Sequence, residues 1–355
     1  MKKWIGLLGV MFLLAGCGEE KPSSVNDDVS KNNPSGDLAP LEEKTKVVIA
    51  EDGSASGAGF YIANEKGYFD DYNIEVEFAT FANSDDMLPA LASGEVDIAG
   101  GVSSASFFNA IAQGIDVKII ADKGHNVKGK SYFTFVIGAD NKDKIKDYSD
   151  LKGKKVAVST EHAVDDYIFR KMLQHAGLKE SEVEFVLMPD FGNMLAAIEN
   201  GSIDAALQIE PLITQGVSEG IHVRFGDATD FAPQAQIAMV LGSPQFITEK
   251  KDVSLRFMAA YLKGVRDYND AFKKGEGKED IINIMTEYTS LKVASVWEEV
   301  YVTGLDPDGK MFVDDIRHQY DMYKKNGAIR GEFDFDEAID TTVTEKAVEV
   351  IGPYK

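Results

Sequence analysis

The chain has 355 residues, and its 59 acidic residues outnumber its 37 lysines and arginines, giving a formal net charge of −22 at pH 7. A charge of this sign and size argues against nucleic acid as a partner, because phosphates would be repelled. The single cysteine, Cys17, excludes disulfides, a cysteine nucleophile and a cysteine-bound metal from the rest of the chain.

The first residues have the pattern of an export signal. Lys2 and Lys3 precede an apolar run from Trp4 to Leu14, which is too short to remain as a membrane-spanning helix. The sequence Leu14-Ala15-Gly16-Cys17 is similar to a bacterial lipobox, in which the cysteine carries a lipid such as palmitate and begins the mature chain. Residues 1–17 are therefore predicted to be a lipoprotein signal peptide. An ordinary signal with a chance cysteine is the alternative.

Residues 18–44 are polar and contain few apolar side chains, so we expect a flexible tether. The protein is then expected outside the cytoplasm, anchored to the bacterial membrane through Cys17. Loss of the two lysines of the signal changes the net charge from −22 to −24. About 310 residues remain, which suffice for two domains.

An internal repeat organises the remainder of the chain. The sequence EVEF at 75–78 recurs at 182–185, an offset of 107 residues, and residues 87–99 align without a gap with residues 194–206. Such register across a long segment indicates a duplicated structural unit rather than a chance similarity.

Each copy predicts the same local structure. The alternating EVEF is typical of a strand, and a helix is expected from about Asp85 or Gly192. Gly94 and Gly201 end these helices, because a helix C-terminus favours a residue that tolerates positive φ. A second strand follows, so the chain is predicted to form two similar α/β lobes with largely parallel sheets.

Two further strand-like runs, 132–138 and 236–241, lie on either side of the second copy and are predicted to be the crossovers that form the hinge. Lobe one is then 45–135 plus 240–355, and lobe two is 136–239. Helical patterns at 254–272, 279–288 and 313–325 are expected to cover lobe one.

Four motifs carry a family resemblance: FYIANEKGYF at 60–69, LASGEVD at 91–97, DLKGKKVAV at 150–158, and Glu210-Pro211. Together they resemble the substrate-binding proteins of nitrate, sulfonate and thiamine-precursor importers, over about residues 46–270. The resemblance implies a two-lobed type II periplasmic binding protein fold that closes on a small molecule. It also implies docking on an ABC permease with its ATPase, and we expect a monomer without enzyme activity, cofactor or metal.

Ligands of open α/β sheets bind beyond the carboxyl ends of the strands, so the site is expected at the loop tips of both lobes. These tips hold many carboxylates and one basic residue, Lys123. That balance favours a nitrogen heterocycle, such as a pyrimidine or thiamine precursor, over a nitrate, sulfonate or taurine-type anion. Glu210 is the strongest single candidate, because it belongs to the family's Glu-Pro motif. The candidate ligand-binding residues are Asp52, Ser54, Tyr61, Asn83, Ser103, Ser104, Asp122, Glu161, His162, Asp165, Phe191, Asn193, Gln208 and Glu210.

The sequence argues against three alternatives. A pyrimidine-synthesising enzyme of the same fold would need a cysteine-rich motif that this chain lacks, and His125 and His162 fit ordinary hydrogen bonding better than acid–base or metal roles. A membrane-spanning sensor would need a longer apolar segment. Residues 306–309 (DPDG) predict a turn rather than a calcium loop.

Overall fold

The structure is a computed structural model that describes residues 38–129 and 131–355. The predicted signal peptide, Cys17 and the greater part of the predicted tether lie outside the described residues. The tether was predicted to extend to residue 44, yet its last part is held in place. Asn73 Nδ2 donates to Leu41 O at 2.7 Å, and Arg256 Nε donates to Ala39 O at 2.7 Å.

Five strands form the first sheet, in the order β2-β1-β3-β10-β4. Strands β1, β2 and β3 run parallel, and β10 is antiparallel to both of its neighbours. The central strands are rich in Val, Ile and Ala and are buried on both faces, as expected for a sheet covered by helices. Their bounds are β1 Thr45–Glu51, β2 Ile74–Thr80, β3 Ile98–Val102, β4 Lys118–His125 and β10 Gln236–Gly242.

The second sheet repeats this arrangement in the order β7-β6-β8-β5-β9. Strands β6, β7 and β8 run parallel, and β5 lies antiparallel between β8 and β9. The bounds are β5 Phe133–Gly138, β6 Lys155–Val158, β7 Glu184–Leu187, β8 Ala205–Ile209 and β9 His222–Asp227.

Strands β5 and β10 are the two crossovers, at the positions that the sequence predicts. Each follows strands of one sheet along the chain and pairs only with strands of the other sheet. The lobe boundaries predicted at 135/136 and 239/240 therefore fall inside these strands. A strand forms its ladder of hydrogen bonds within one sheet, so each crossover strand belongs as a whole to the sheet with which it pairs.

The helices connect and cover the strands. They are α1 Ala58–Glu65, α2 Met87–Ser93, α3 Ala105–Ala112, α4 Val164–His175, α5 Phe191–Glu199, α6 Leu212–Ser218, α7 Pro244–Thr248, α8 Lys251–Asn269, α9 Lys278–Tyr288, α10 Ala294–Trp297, α11 Val313–Lys325 and α12 Thr342–Ile351. A π-helical turn, Asp270–Lys274, continues α8.

The C-terminal helices pack mainly on the first sheet. The Tyr261 ring of α8 lies 4.6 Å from the Phe60 ring of α1, measured between centroids, and α12 packs on α8. Helix α11 was expected to cover lobe one alone, but it contacts both α3 and α4. Tyr167 of α4 donates to Asp315 of α11 at 3.4 Å. The C-terminal region thus joins elements of both sheets.

The predicted repeat is confirmed at atomic detail. Asp97 Oδ2 accepts the Val48 N–H at 3.0 Å, and Asp204 Oδ2 accepts the Lys155 N–H at 2.9 Å. The two acceptors are 107 residues apart in the sequence, and so are the two donors. In both copies the aspartate before a strand fixes the neighbouring strand.

Candidate ligand-binding cleft

A cleft separates the carboxyl ends of the two sheets. It has an inner and an outer section, whose linings share Asp52, Ala82, Phe191 and Ile209. Loops that follow strands and precede helices contribute to the lining of both sections, together with residues of the neighbouring strands and helices, and these loops are where the sequence predicted the site. The polar and aromatic residues of the inner section are Asp52, Ser56, Asn83, Ser84, Asp85, Lys123, Tyr132, Phe133, Ser159, Thr160, Asp165 and Phe191.

A buried ion pair forms the floor of the cleft on the side of the first sheet. Lys123 Nζ lies 3.1 Å from Glu51 Oε1 and donates to Ser56 Oγ at 3.0 Å, and the two charged side chains are 1% and 4% exposed. Burial raises the pKa of the Glu51 carboxyl to about 7, although Lys123 opposes the rise. Gly100 lies against this pair, and a Cβ there would overlap with Glu51 Oε1 and Lys123 Cε.

Asp165 forms a buried part of the opposite wall, in the first turn of α4. Its carboxylate accepts from Ser159 Oγ at 2.9 Å and from the Ser159 N–H. Among the residues that the structure describes, no ion pair involves Asp165, whereas the adjacent Asp166 is paired with Arg170 Nε at 2.8 Å. Burial raises the pKa of Asp165 to about 7.

Asp52, Asn83 and Asp85 of the lining belong to loops of the first sheet and are partly exposed. Asp85 Oδ1 accepts from Ser104 Oγ at 2.9 Å, Asp52 Oδ1 accepts the Ser54 N–H at 3.0 Å, and Asn83 Nδ2 donates to Asp86. These bonds fix the loops and leave carboxylate lone pairs available to a ligand.

Aromatic rings supply the apolar surface of the cleft. The rings of Phe133 and Phe191 lie 6.1 Å apart between centroids, and Tyr132 lines the same section. Gln208 Nε2 donates to Phe191 O at 3.0 Å and so holds that loop. Rings at this spacing offer flat surfaces on which a planar ligand can stack.

The two halves also touch directly beside the cleft. The Ala105 N–H donates to His162 O at 2.8 Å, and Ser104 forms an antiparallel bridge with Ala163. We call this contact, of 104–105 with 162–163, the latch. His162 has φ of 60°, the left-handed region that a residue with a side chain seldom occupies, so local strain is accepted at this contact.

Five of the predicted site residues line the cleft. Asp52, Asn83, Asp165 and Phe191 line the inner section, and Ser54 lines the outer section together with Asp52 and Phe191. Others lie close behind the lining. Tyr61 donates to Glu51 Oε2 at 3.2 Å beneath the floor, Ser104 and His162 form the latch, and Gln208 supports Phe191.

The rest of the predicted site residues have other partners. Asp122 is buried and accepts from Gln236 Nε2 at 2.6 Å and from the Asp306 N–H at 2.7 Å. Ser103 O accepts from the Tyr323 hydroxyl at 3.4 Å. Glu161 lies 3.8 Å from Arg170, and the Asn193 N–H caps α5 by donating to Asp190.

Glu210 is enclosed, although it was the strongest candidate. Its carboxylate accepts from Arg224 Nη2 at 2.6 Å, from Thr214 Oγ1 at 2.9 Å and from the Tyr301 N–H at 3.3 Å. These three bonds are all to Oε1, and Oε2 accepts the Thr214 N–H at 3.0 Å, so the geometry gives Glu210 a role in holding α6 and the segment around Tyr301. That segment returns to the first sheet at Gly304, whose carbonyl accepts the His125 N–H at 2.9 Å.

Several lining residues were absent from the predicted set. Asp85, Ser159 and Thr160 lie in the loop tips at which the sequence predicted the site, so their position shortly after a strand was the signal that could have identified them. Tyr132 had no such signal, because it precedes a crossover strand. Lys123 is the one basic residue of the predicted loop tips, but the sequence prediction did not include it in the site.

Among residues 38–129 and 131–355, no three His, Cys, Asp or Glu side chains come together as a metal site. The same residues contain no helix with the length and apolarity to span a bilayer. Residues 306–309 form the predicted turn, in which the Gly309 N–H donates to Asp306 O at 2.9 Å.

Two five-stranded α/β sheets, each completed by one antiparallel crossover strand, with a cleft at their carboxyl edges, are the periplasmic binding protein fold. The chain belongs to the NMT1/THI5-like family, whose sequence model matches residues 54–271, more than half of its length. The fold and the family that the sequence motifs predicted are thereby confirmed.

The relatives are binding proteins. A Bacillus subtilis (strain 168) protein called "Putative aliphatic sulfonates-binding protein" is 28% identical over 361 residues, covering 98% of each chain. Among solved structures, the ligand-binding component of an ABC-type import system from Staphylococcus aureus has a TM-score of 0.71 at 16% identity, covering 85% of this chain and 99% of that one. The periplasmic nitrate-binding protein NrtA from Synechocystis PCC 6803 has a TM-score of 0.70 at 15% identity, covering 87% and 89%. These structures share the fold.

Proposed function

We propose that this protein captures a small molecule in the cleft and delivers it to an ABC permease driven by an ATPase. We further propose that it acts outside the cytoplasm as a monomer, anchored through a lipid on Cys17. The family, the fold and the cleft support the binding role, and the lipobox-like sequence at 14–17 supports the anchor.

The charge of the cleft carries the proposal about the ligand. Three carboxylates, Asp52, Asp85 and Asp165, line the inner section, and Lys123 is the one basic residue of that lining. Lys123 is already paired with Glu51 at 3.1 Å, so its ammonium already has a partner within the protein. We therefore propose a planar, nitrogen-rich ligand that is neutral or cationic, such as an aminopyrimidine.

An anion is the second candidate, and two observations favour it. The relative from Bacillus subtilis is named for aliphatic sulfonates, and Lys123 and Ser56 place an ammonium and a hydroxyl in the lining. An anion there would have to compete with Glu51 for Lys123, and it would meet three carboxylates within the same cleft.

The test has two stages. Native mass spectrometry of the chain from residue 18, freshly purified from cells, should release one small molecule per chain, and its identity gives the class directly. Calorimetry then compares three ligands of one shape, namely benzamidinium, benzamide and benzenesulfonate, which are cationic, neutral and anionic. We expect the cation to bind most tightly. Preferred binding of benzenesulfonate, or release of a sulfonate, would refute the heterocycle and support the anion.

A further inference from the structure

Asp165 differs from most buried acids of the protein in having no cation as a partner among the described residues. Asp166 is paired with Arg170, Glu210 with Arg224, and Glu51 with Lys123. Asp165 is 1% exposed, and among the described residues it has hydrogen bonds from Ser159 but no cation within ion-pair distance. A buried carboxylate in this situation is stabilised by a proton or by a cation supplied from elsewhere.

We propose that Asp165 is the residue that pairs with a positively charged group of the ligand, and that it gives up a proton when the ligand binds. This assignment rests on the proposed function, and it names the specificity-determining residue and the chemical group recognised: an amidinium, a protonated ring nitrogen or an ammonium.

Asp165 is better placed for this role than the other two carboxylates of the lining. Asp52 and Asp85 are partly exposed, so water screens their charge and weakens any selection for a cation. Asp165 faces the cleft from a buried position, where a charge–charge contact is screened less. Its hydrogen bonds with Ser159 also fix the direction of the carboxylate before the ligand arrives.

Few charged or titratable groups near Asp165 would oppose its pairing with a ligand cation. Those that face it are Asp166 on its own helix, the buried Tyr323 hydroxyl of α11, and Asp52, Asp85 and Lys123 in the lining of the same cleft. The first of these is paired with Arg170, and Lys123 is paired with Glu51. The pKa of Glu51 is also raised to about 7, so the loss of proton release in Asp165→Asn is the observation that assigns the released proton to Asp165.

The linkage has a definite direction. Burial raises the pKa of Asp165 to about 7, so about half of the molecules carry the proton at pH 7 and about nine-tenths at pH 6. A bound cation lowers that pKa and expels the proton to buffer. Binding should release about half a proton per ligand at pH 7, close to one at pH 6 and about a tenth at pH 8. Affinity for a permanent cation should rise almost tenfold from pH 5 to pH 6 and level off above pH 7.

Calorimetry with benzamidinium as the probe tests this assignment. Titrations at pH 6, 7 and 8 in phosphate and in Tris give the number of protons released, because the two buffers differ in their heat of protonation. The substitutions are Asp165→Asn, which keeps the shape and can keep the contact with Ser159 if Oδ1 accepts the Ser159 N–H and Nδ2 donates to Ser159 Oγ, and Asp143→Asn as a matched control at an exposed carboxylate outside the cleft. Urea unfolding of each variant checks that it is folded.

We expect the wild-type chain to release protons as stated, Asp165→Asn to lose at least tenfold in affinity together with all proton release, and Asp143→Asn to change affinity by less than threefold. Binding of benzamidinium without proton release, or unchanged affinity in Asp165→Asn, overturns the assignment and leaves the proposed function intact. Absence of benzamidinium binding alongside binding of benzenesulfonate overturns the cationic ligand class and the assignment with it.

Discussion

The buried pair beneath the cleft gives the sharpest prediction about stability. The substitution Lys123→Met keeps an unbranched side chain but removes the ammonium, which leaves the Glu51 carboxyl without its cation. Breaking a buried pair by removing one partner costs about 3–5 kcal/mol when the other partner stays charged. Glu51 can escape part of this cost by taking up a proton, so the loss must depend on pH.

The direction of that dependence follows from the pKa of Glu51. Burial already raises it to about 7, above its unfolded value, and loss of Lys123 raises it further. A group of this kind contributes stability that is fully present below the unfolded pKa and is lost as the pH rises through the folded pKa. At pH 5.5 the carboxyl is largely protonated in both proteins, so we expect the variant to lose about 1 kcal/mol. At pH 9 each further unit of pKa adds about 1.4 kcal/mol, up to the limit of about 3–5 kcal/mol.

Urea unfolding followed by circular dichroism at pH 5.5 and pH 9 measures both values. Glu51→Gln and the double variant Glu51→Gln/Lys123→Met complete the cycle. The double variant should recover most of the stability lost at pH 9, since it contains no unpaired buried charge. Equal destabilisation at the two pH values, or a double variant no more stable than Lys123→Met, would show that the charge of Glu51 is not what matters.

Four other substitutions probe the glycines that end α2 and α5, the latch and the enclosed Glu210. Gly201→Ala should cost about 1 kcal/mol in urea unfolding, because φ there is 74°. Gly94→Ala should cost more, because its Cβ would also lie 3.2 Å from a glutamine oxygen; equal costs would contradict this. Ala105→Pro fits the first position of α3 but removes the hydrogen bond to His162, so calorimetry should show about fivefold weaker ligand binding with little change in unfolding. Glu210→Gln should lower the free energy of unfolding by about 1–3 kcal/mol. Unchanged stability with loss of ligand binding would instead place Glu210 in the site.

The sequence predicted the architecture well where local and global signals agreed. The duplicated segment, the glycines that end α2 and α5, and the two crossover runs each correspond to a feature of the structure. The gapless alignment of Asp97 with Asp204 had a physical cause that was invisible in one dimension: both side chains bind the backbone N–H of an adjacent strand.

The sequence could not tell which way the side chains at strand ends point. Asp122, Asp165 and Glu210 all lie in predicted loop tips, but only Asp165 lines the cleft. The partners that enclose the other two, Asp306 and Tyr301, come from a C-terminal region nearly 100 residues or more away, for which the repeat offers no template. Periodicity reports burial along one element and contains no information about such distant partners.

The segment from Tyr301 to Gly304 has a mechanical consequence. It contacts Glu210 beside the second sheet and His125 in the first, so it joins the halves in addition to the two crossover strands, the latch and α11. A rotation that widens the cleft about an axis far from this segment would pull Tyr301 away from Glu210. A short segment that does not line the cleft thereby restricts the direction in which the two halves can swing apart.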